Sequence, residues 1–150
     1  MASQPTSVRS AFELTNRTYI VTGGAQGIGF TISRAICEMG GNVAIWDIQN
    51  APVDQAEFDS WTSTFGSKTL YVQTDVTKQE SLQAAFQKTL EVFKTVDGCV
   101  PSAGIAIDKP FVEQTWEEFT RIQEINVSRE KCHRENCIGF VEFIYLIWNV

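Results

Sequence analysis

Eight consecutive residues, Thr22-Gly23-Gly24-Ala25-Gln26-Gly27-Ile28-Gly29, have the composition and spacing of an anion-binding turn. Glycines let the backbone turn sharply and approach a phosphate with no Cβ in the way. A helix that starts at the end of such a run turns its free N–H groups and positive dipole end toward the same point. Eighteen residues beyond Gly29 stands Asp47. A carboxylate there can accept both ribose hydroxyls of an adenosine and repel a 2′-phosphate, or it can cap a loop at the end of a strand. No Lys or Arg lies within the glycine run to receive a 2′-phosphate. Together these residues predict a dinucleotide site that favours NAD over NADP.

Other reactive residue types are weaker candidates. Cys132, His133 and Cys137 supply three metal ligands at most, whereas a closed structural zinc site takes four, so no metal site is expected. Cys37 and Cys99 read as small buried hydrophobes, and Trp46, Trp61, Trp116 and Trp148 as core or edge residues, since no basic groove accompanies them.

The elements that must position the glycine run and Asp47 follow from periodicity. Thr18 to Thr22 is a β-branched run, and Ile28, Ile32, Ala35, Ile36 and Met39 then fall on one helical face. Asn42 to Asp47 reads as a strand buried on both sides, Val53 to Phe65 as a weaker helix, and Thr69 to Thr74 as a third strand. Thr77-Lys78-Gln79-Glu80 has the form of a capping box opening a helix to about Lys94, and Gly98 to Pro101 begins a fourth strand. A second box at Thr115 to Glu118 opens a helix through Phe119, Ile122 and Ile125 to at least Val127. Strand starts at 18, 42, 69 and 98 lie 24, 27 and 29 residues apart, the spacing of successive βα units with right-handed crossovers. The class is α/β.

Composition sets the outer bounds. The chain has 150 residues, of which 43% are hydrophobic, enough for one domain with its own core. Twelve Lys and Arg against eighteen Asp and Glu give a formal charge of −6, which disfavours a nucleic-acid partner. The polar segment Met1 to Ser10 resembles neither a signal peptide nor an anchor, so a cytoplasmic location is expected, with unglycosylated Asn16 and Asn126 and no disulfides. The longest apolar stretch, Cys137 to Val150, is 14 residues and carries Glu142, too short to cross a bilayer.

With these residues in place, the chain resembles the short-chain dehydrogenase/reductase family. Thr22, Gly23, Gly27 and Gly29 match its TGxxxGxG pattern, and Asp75-Val76 is similar to the acidic-apolar pair that contacts adenine. Pro101-Ser102-Ala103-Gly104 looks like its NNAG motif, and Asn126 matches its structural and catalytic Asn. The resemblance covers about Leu14 to Val127 and is nearest in texture to fungal polyol and sugar-ketone reductases. It implies a Rossmann-like, doubly wound parallel sheet in the order 3-2-1-4, incomplete at about four strands. It also implies an NAD(P)-dependent oxidoreductase acting on a ketone or secondary alcohol. Gly23, Gln26, Gly27, Ile28 and Gly29 would hold the pyrophosphate, Asp47 the adenosine ribose, Asp75 and Val76 the adenine, and Ala103 and Gly104 the second ribose. Asn126 would have an auxiliary role, supporting a water or the family's Lys.

Two departures qualify the implication. Pro101 and Ser102 stand where the family usually has two Asn, so the fourth strand is expected to be less firmly tied. The family's hydride chemistry also uses a Ser and a Tyr-x-x-x-Lys pair beyond the helix that carries Asn126, the Lys lowering the Tyr pKa so that it can protonate a developing alkoxide. None follows here: Tyr145 is four residues before Asn149, which carries no charge. The alternative function is therefore an inactive nucleotide-binding fragment, acting alone, as a homo-oligomer, or paired with a full-length relative through the helix around Trp116 to Val127. Residues 1–127 read as the dinucleotide-binding half and 128–150 as an atypical tail. Because Val127-Ser128 can be encoded by GTGAGT, the form of an intron donor, the tail is expected to come from a retained intron or a misplaced exon boundary. In the other reading it is a genuine end that packs on the edge of the fourth strand.

Overall fold

The computed structural model describes residues 12–127. Strands β1 (Thr18–Thr22), β2 (Asn42–Asp47), β3 (Thr69–Gln73) and β4 (Gly98–Pro101) alternate with helices α1 (Gly27–Glu38), α2 (Gln55–Phe65), α3 (Gln79–Phe93) and α4 (Trp116–Asn126). A short 3₁₀ turn, Phe111–Glu113, precedes α4. All strand pairs are parallel and the order is β3-β2-β1-β4, the incomplete doubly wound sheet that the family resemblance implied. The expectations that fall on residues 128–150, including Cys132, His133, Cys137, Tyr145 and the tail's packing, lie outside the described residues.

Adjacent residues of each central strand serve opposite faces, as the two-residue strand period requires. Val21, Val43 and Ile45 join Ile36 and Cys37 of α1 and Phe58 and Trp61 of α2 in one core. Ile20, Ala44, Trp46 and Val72 join Ala85 of α3 in the other. Trp61 anchors the first core, its ring 4.9 Å from that of Phe30 and 5.3 Å from that of Phe58. In the second, Trp46 Nε1 donates to Thr89 Oγ1 at 3.1 Å, so the indole enters the interior without an unpaired N–H. Among the described residues, no helix is long and apolar enough to cross a membrane.

Three sequence expectations need correction. The buried face of α1 is Gly29, Ser33, Ile36 and Cys37 rather than the stripe through Ile28, Ala35 and Met39; Ile28 is 77% exposed. Small residues set this face, since Gly29 lets the helix lie against the glycine run and the Ser33 hydroxyl is satisfied internally by donating to Gly29 O at 2.8 Å. The first capping box does not form. Thr77 Oγ1 donates to Asp75 Oδ1 at 2.6 Å instead, and Lys78 becomes the N-cap of α3 without a side-chain bond. Finally, β4 is tied at both ends despite its Pro and Ser. Thr18 N donates to Asp97 Oδ2 at 2.8 Å, and Ser102 N and Ala103 N donate to Thr22 O and Oγ1 at 3.2 and 3.3 Å.

The second box forms as expected: Thr115 Oγ1 accepts from Glu118 N at 3.2 Å and Glu118 Oε2 from Thr115 N at 2.9 Å. Glu118 also accepts from Lys109 Nζ at 2.7 Å, fastening the β4–α4 connection to the helix it leads into. No residue of α4 is fully buried, and Trp116, 76% exposed, stacks on Phe119 with ring centroids 5.3 Å apart.

Candidate functional site

The carboxyl ends of all four strands open into one cleft of about 400 Å³. In a doubly wound sheet this edge, where the winding reverses between β1 and β4, is where ligands are held. Nine of the ten residues expected at a cofactor line it: Gly23, Gln26, Ile28, Gly29, Asp47, Asp75, Val76, Ala103 and Gly104. Gly27 does not.

The glycine run is shaped by close approach. Gly23 has φ +66°, and a Cβ there would meet Ala103 Cα and lie 2.6 Å from Ala103 N, so the turn after β1 presses against the segment after β4. A Cβ at Gly29 would strike Gly23 O and come within 2.5 Å of Ser102 Oγ. The run leads into α1, whose N-cap Gln26 makes no side-chain bond and whose first turn holds no acidic residue. The leading N–H groups of α1 therefore remain for an anion. Ser102 Oγ, at the same place, is buried with no hydrogen-bond partner among the described residues, which fits a polar group entering from the cleft.

Asp47 is 7% exposed, and both carboxylate oxygens accept main-chain N–H groups: Oδ2 from Ala25 at 3.0 Å and Oδ1 from Gln49 at 3.0 Å. It thus caps the loop, one of the two expected uses, while it also lines the cleft. Each oxygen has lone-pair capacity left for a ribose hydroxyl. Ala25 is held from its other side as well, its carbonyl accepting from Val53 N at 2.9 Å.

Asp75 lies just beyond the end of β3, the strand beside β2, and its neighbour Thr74 donates its N–H to Asp47 O at 2.6 Å. Asp75 Oδ1 takes the hydroxyl and the N–H of Thr77, while Lys78 Nζ lies 3.4 Å from Oδ2. The Thr77 hydroxyl, foremost, and Lys78 hold its carboxyl below the usual carboxylate range. Because the folded pKa is the lower one, Asp75 adds stability above the ordinary carboxylate pKa, and that contribution is lost as pH falls through the folded value. Thr77→Val is expected to return the Asp75 titration toward the ordinary range, read by carboxyl NMR shifts.

Asn126 does not line the cleft. Its side-chain amide pairs with one residue in both directions, Oδ1 accepting from Ile105 N and Nδ2 donating to Ile105 O, each at 2.9 Å. It clamps the end of α4 to the chain that leaves Ala103-Gly104. The cleft also takes in Ile48, Gln49, Thr74, Thr77, Ser102, Ile105, Arg121 and Ile125, which sequence reading did not assign. Of these, only Arg121 and Ile125 carried a signal, a four-residue spacing that puts both on one face of α4. No Tyr or Lys lines the cleft among the described residues.

Comparison with known proteins agrees with this geometry. Residues 23–129 match the family described as enoyl-(acyl carrier protein) reductase. The chain is 35% identical over 114 residues to a 3-oxoacyl-(acyl-carrier-protein) reductase of Chlamydia trachomatis, covering 76% of this chain and 46% of that one. Its fold superposes on the crystal structure of an NADPH-dependent 3-quinuclidinone reductase from Rhodotorula rubra with a TM-score of 0.78 at 27% identity, covering 91% of this chain and 52% of that one. A 3-ketoacyl-(acyl-carrier-protein) reductase from Brucella melitensis, crystallised with NADH, gives a TM-score of 0.69 at 27% identity, covering 84% and 50%. The chain spans about half the length of the relatives it matches.

Proposed function

The chain belongs to the short-chain dehydrogenase/reductase family, and we propose that residues 12–127 are the dinucleotide-binding half of a nicotinamide-dependent oxidoreductase that interconverts a ketone and a secondary alcohol. The observation that carries the reading is the convergence of Gly23, Asp47, Asp75 and Ala103, from the ends of all four strands, with Gly29 at the start of α1, on one cleft. Bound there, the cofactor would supply the hydride. The chain's own residues would hold the pyrophosphate with the main chain of Gly23 to Gly29, the adenosine ribose with Asp47, the adenine with Asp75 and Val76, and the second ribose with Ala103 and Gly104.

NAD is preferred over NADP in this reading, because a buried carboxylate meets the ribose and the glycine run holds no cation. A polyol or ketose is the proposed substrate class, and a cytoplasmic setting belongs to the same reading. Titration of the full chain with NADH and NADPH, followed by nicotinamide fluorescence, tests the cofactor part. Tighter binding of NADH is expected, and equal or absent binding of both sinks it.

A second reading rests on the cleft's lining, which offers no Tyr or Lys to protonate an alkoxide among the described residues. In it the chain binds dinucleotide without turnover, alone, in a homo-oligomer or paired with a full-length relative. Hydride transfer from NADH to a panel of ketoses decides between the two: turnover above the protein-free rate favours the first, and tight binding with none favours the second.

A further inference from the structure

The turn after β2 is held by two residues of β3 that sequence reading gave no functional part. Tyr71 Oη donates to Gln49 O at 3.0 Å, and Gln73 Nε2 donates to Ile48 O at 3.0 Å. Those two carbonyls belong to the residues directly after Asp47, and Gln49 returns its N–H to Asp47 Oδ1. The chain of contacts therefore runs from β3 through the turn to the carboxylate, and from the carboxylate to Ala25 in the glycine run. Tyr71 is itself fixed, since Phe58 meets its ring edge-on at 80° with centroids 6.2 Å apart. Its phenol remains a donor throughout the neutral range, because burial, and then the charge of Asp47, push its pKa up to about 12.

We propose that Tyr71 and Gln73 are positioning residues for ribose recognition: by holding the carbonyls of Gln49 and Ile48 they fix the turn that aims Asp47 into the cleft, and so set the choice between a ribose 2′-hydroxyl and a 2′-phosphate. The inference rests on the dinucleotide reading above. A 2′-phosphate needs N–H groups or cations turned toward it, and a turn tied by both carbonyls cannot reorient its peptides to provide them. The side chain the turn presents instead is Ile48, which is apolar and 66% exposed at the cleft. Loosening the turn leaves the Asp47 charge in place but removes its aim, so selectivity changes while the chemistry of the carboxylate does not.

The test compares the full chain with Tyr71→Phe, which keeps the ring on Phe58, and with Gln73→Leu on the exposed side of β3. NADH and NADPH are titrated against each, and amide exchange at Ala25 and Gln49 is followed by NMR in the cofactor-free protein. Each variant is expected to lower the ratio of the NADPH to the NADH dissociation constant by roughly fivefold, the effect of one neutral hydrogen bond, and to speed exchange at both amides. An unchanged ratio, or parallel weakening of both cofactors, overturns the inference even where exchange is faster. If the unsubstituted chain binds neither cofactor, the dinucleotide reading itself has failed and the ribose role falls with it. Unchanged exchange then also refutes the hold on the turn.

Discussion

Gly23→Ala is expected to abolish dinucleotide binding and to lower folding stability by about 2–5 kcal/mol. Two costs add. An L-residue forced into the left-handed region loses about 1–2 kcal/mol, and Gly23 sits at φ +66°. The new Cβ also meets the main chain of Ala103 and Ser102, at 2.6 Å from Ala103 N. Backbone cannot rotate aside as a side chain can, so the segment after β4 must shift, at about 1–3 kcal/mol more. Against a typical total of about 5–15 kcal/mol, such a loss leaves a marginal fold. Urea unfolding read by tryptophan fluorescence measures it, with Trp46 and Trp61 in the two cores as reporters. Gly27→Ala is the control, since Gly27 also has positive φ, +57°, but its Cβ would meet nothing within 4 Å. Its cost should stay near 1–2 kcal/mol. Equal losses at both positions would show that close approach across the cleft is not what shapes the glycine run.

The same contrast explains what the sequence made legible. Parallel strands buried on both sides are near-continuous apolar runs, so Thr18–Thr22 and Asn42–Asp47 stood out, and the regular spacing of strand starts marked the βα alternation, while the strand order came with the family resemblance. Ligand-facing glycines and strand-end acids were equally visible, because a main-chain cradle leaves few alternatives in residue type. Contacts made by small or polar residues across long distances in sequence were not. Ser33 and Gly29 form the buried face of α1 although neither is hydrophobic, which displaced the predicted stripe toward Ile28. Thr77 could cap α3 or bond Asp75 with the same hydroxyl, and only three-dimensional placement decides which. Tyr71 and Gln73 lie 22 and 25 residues from the carbonyls they hold, and no local pattern marks that pairing. Arg121 shares a face of α4 with Ile125, but it reaches the cleft from a helix lying beyond a connection of irregular backbone, so helical spacing marks the face and not the cleft it meets.

Asp47→Asn should weaken NADH binding by roughly 30- to 100-fold and cost about 2–3 kcal/mol of stability, close to the worth of a hydrogen bond to a buried charge. An amide has one acceptor oxygen where the carboxylate has two. With Ala25 N and Gln49 N on separate oxygens, each at 3.0 Å, one of them would face an NH₂ group. The turn must then open or leave a buried donor unpaired, and either change disturbs the glycine run through Ala25, whose carbonyl is also bound by Val53 N. Loss of charge acts separately, since it removes the repulsion that a 2′-phosphate would meet. The two effects separate experimentally, because damage to the glycine run weakens every ligand that carries the pyrophosphate, whereas loss of ribose recognition weakens NADH and ADP-ribose, which share a free adenosine 2′-hydroxyl, more than NADPH. Titrations of the variant with NADH, NADPH and ADP-ribose should therefore show NADH and ADP-ribose falling together while NADPH falls less. Equal loss of all three would assign Asp47 to the loop alone, and an unchanged NADH affinity would remove it from the site.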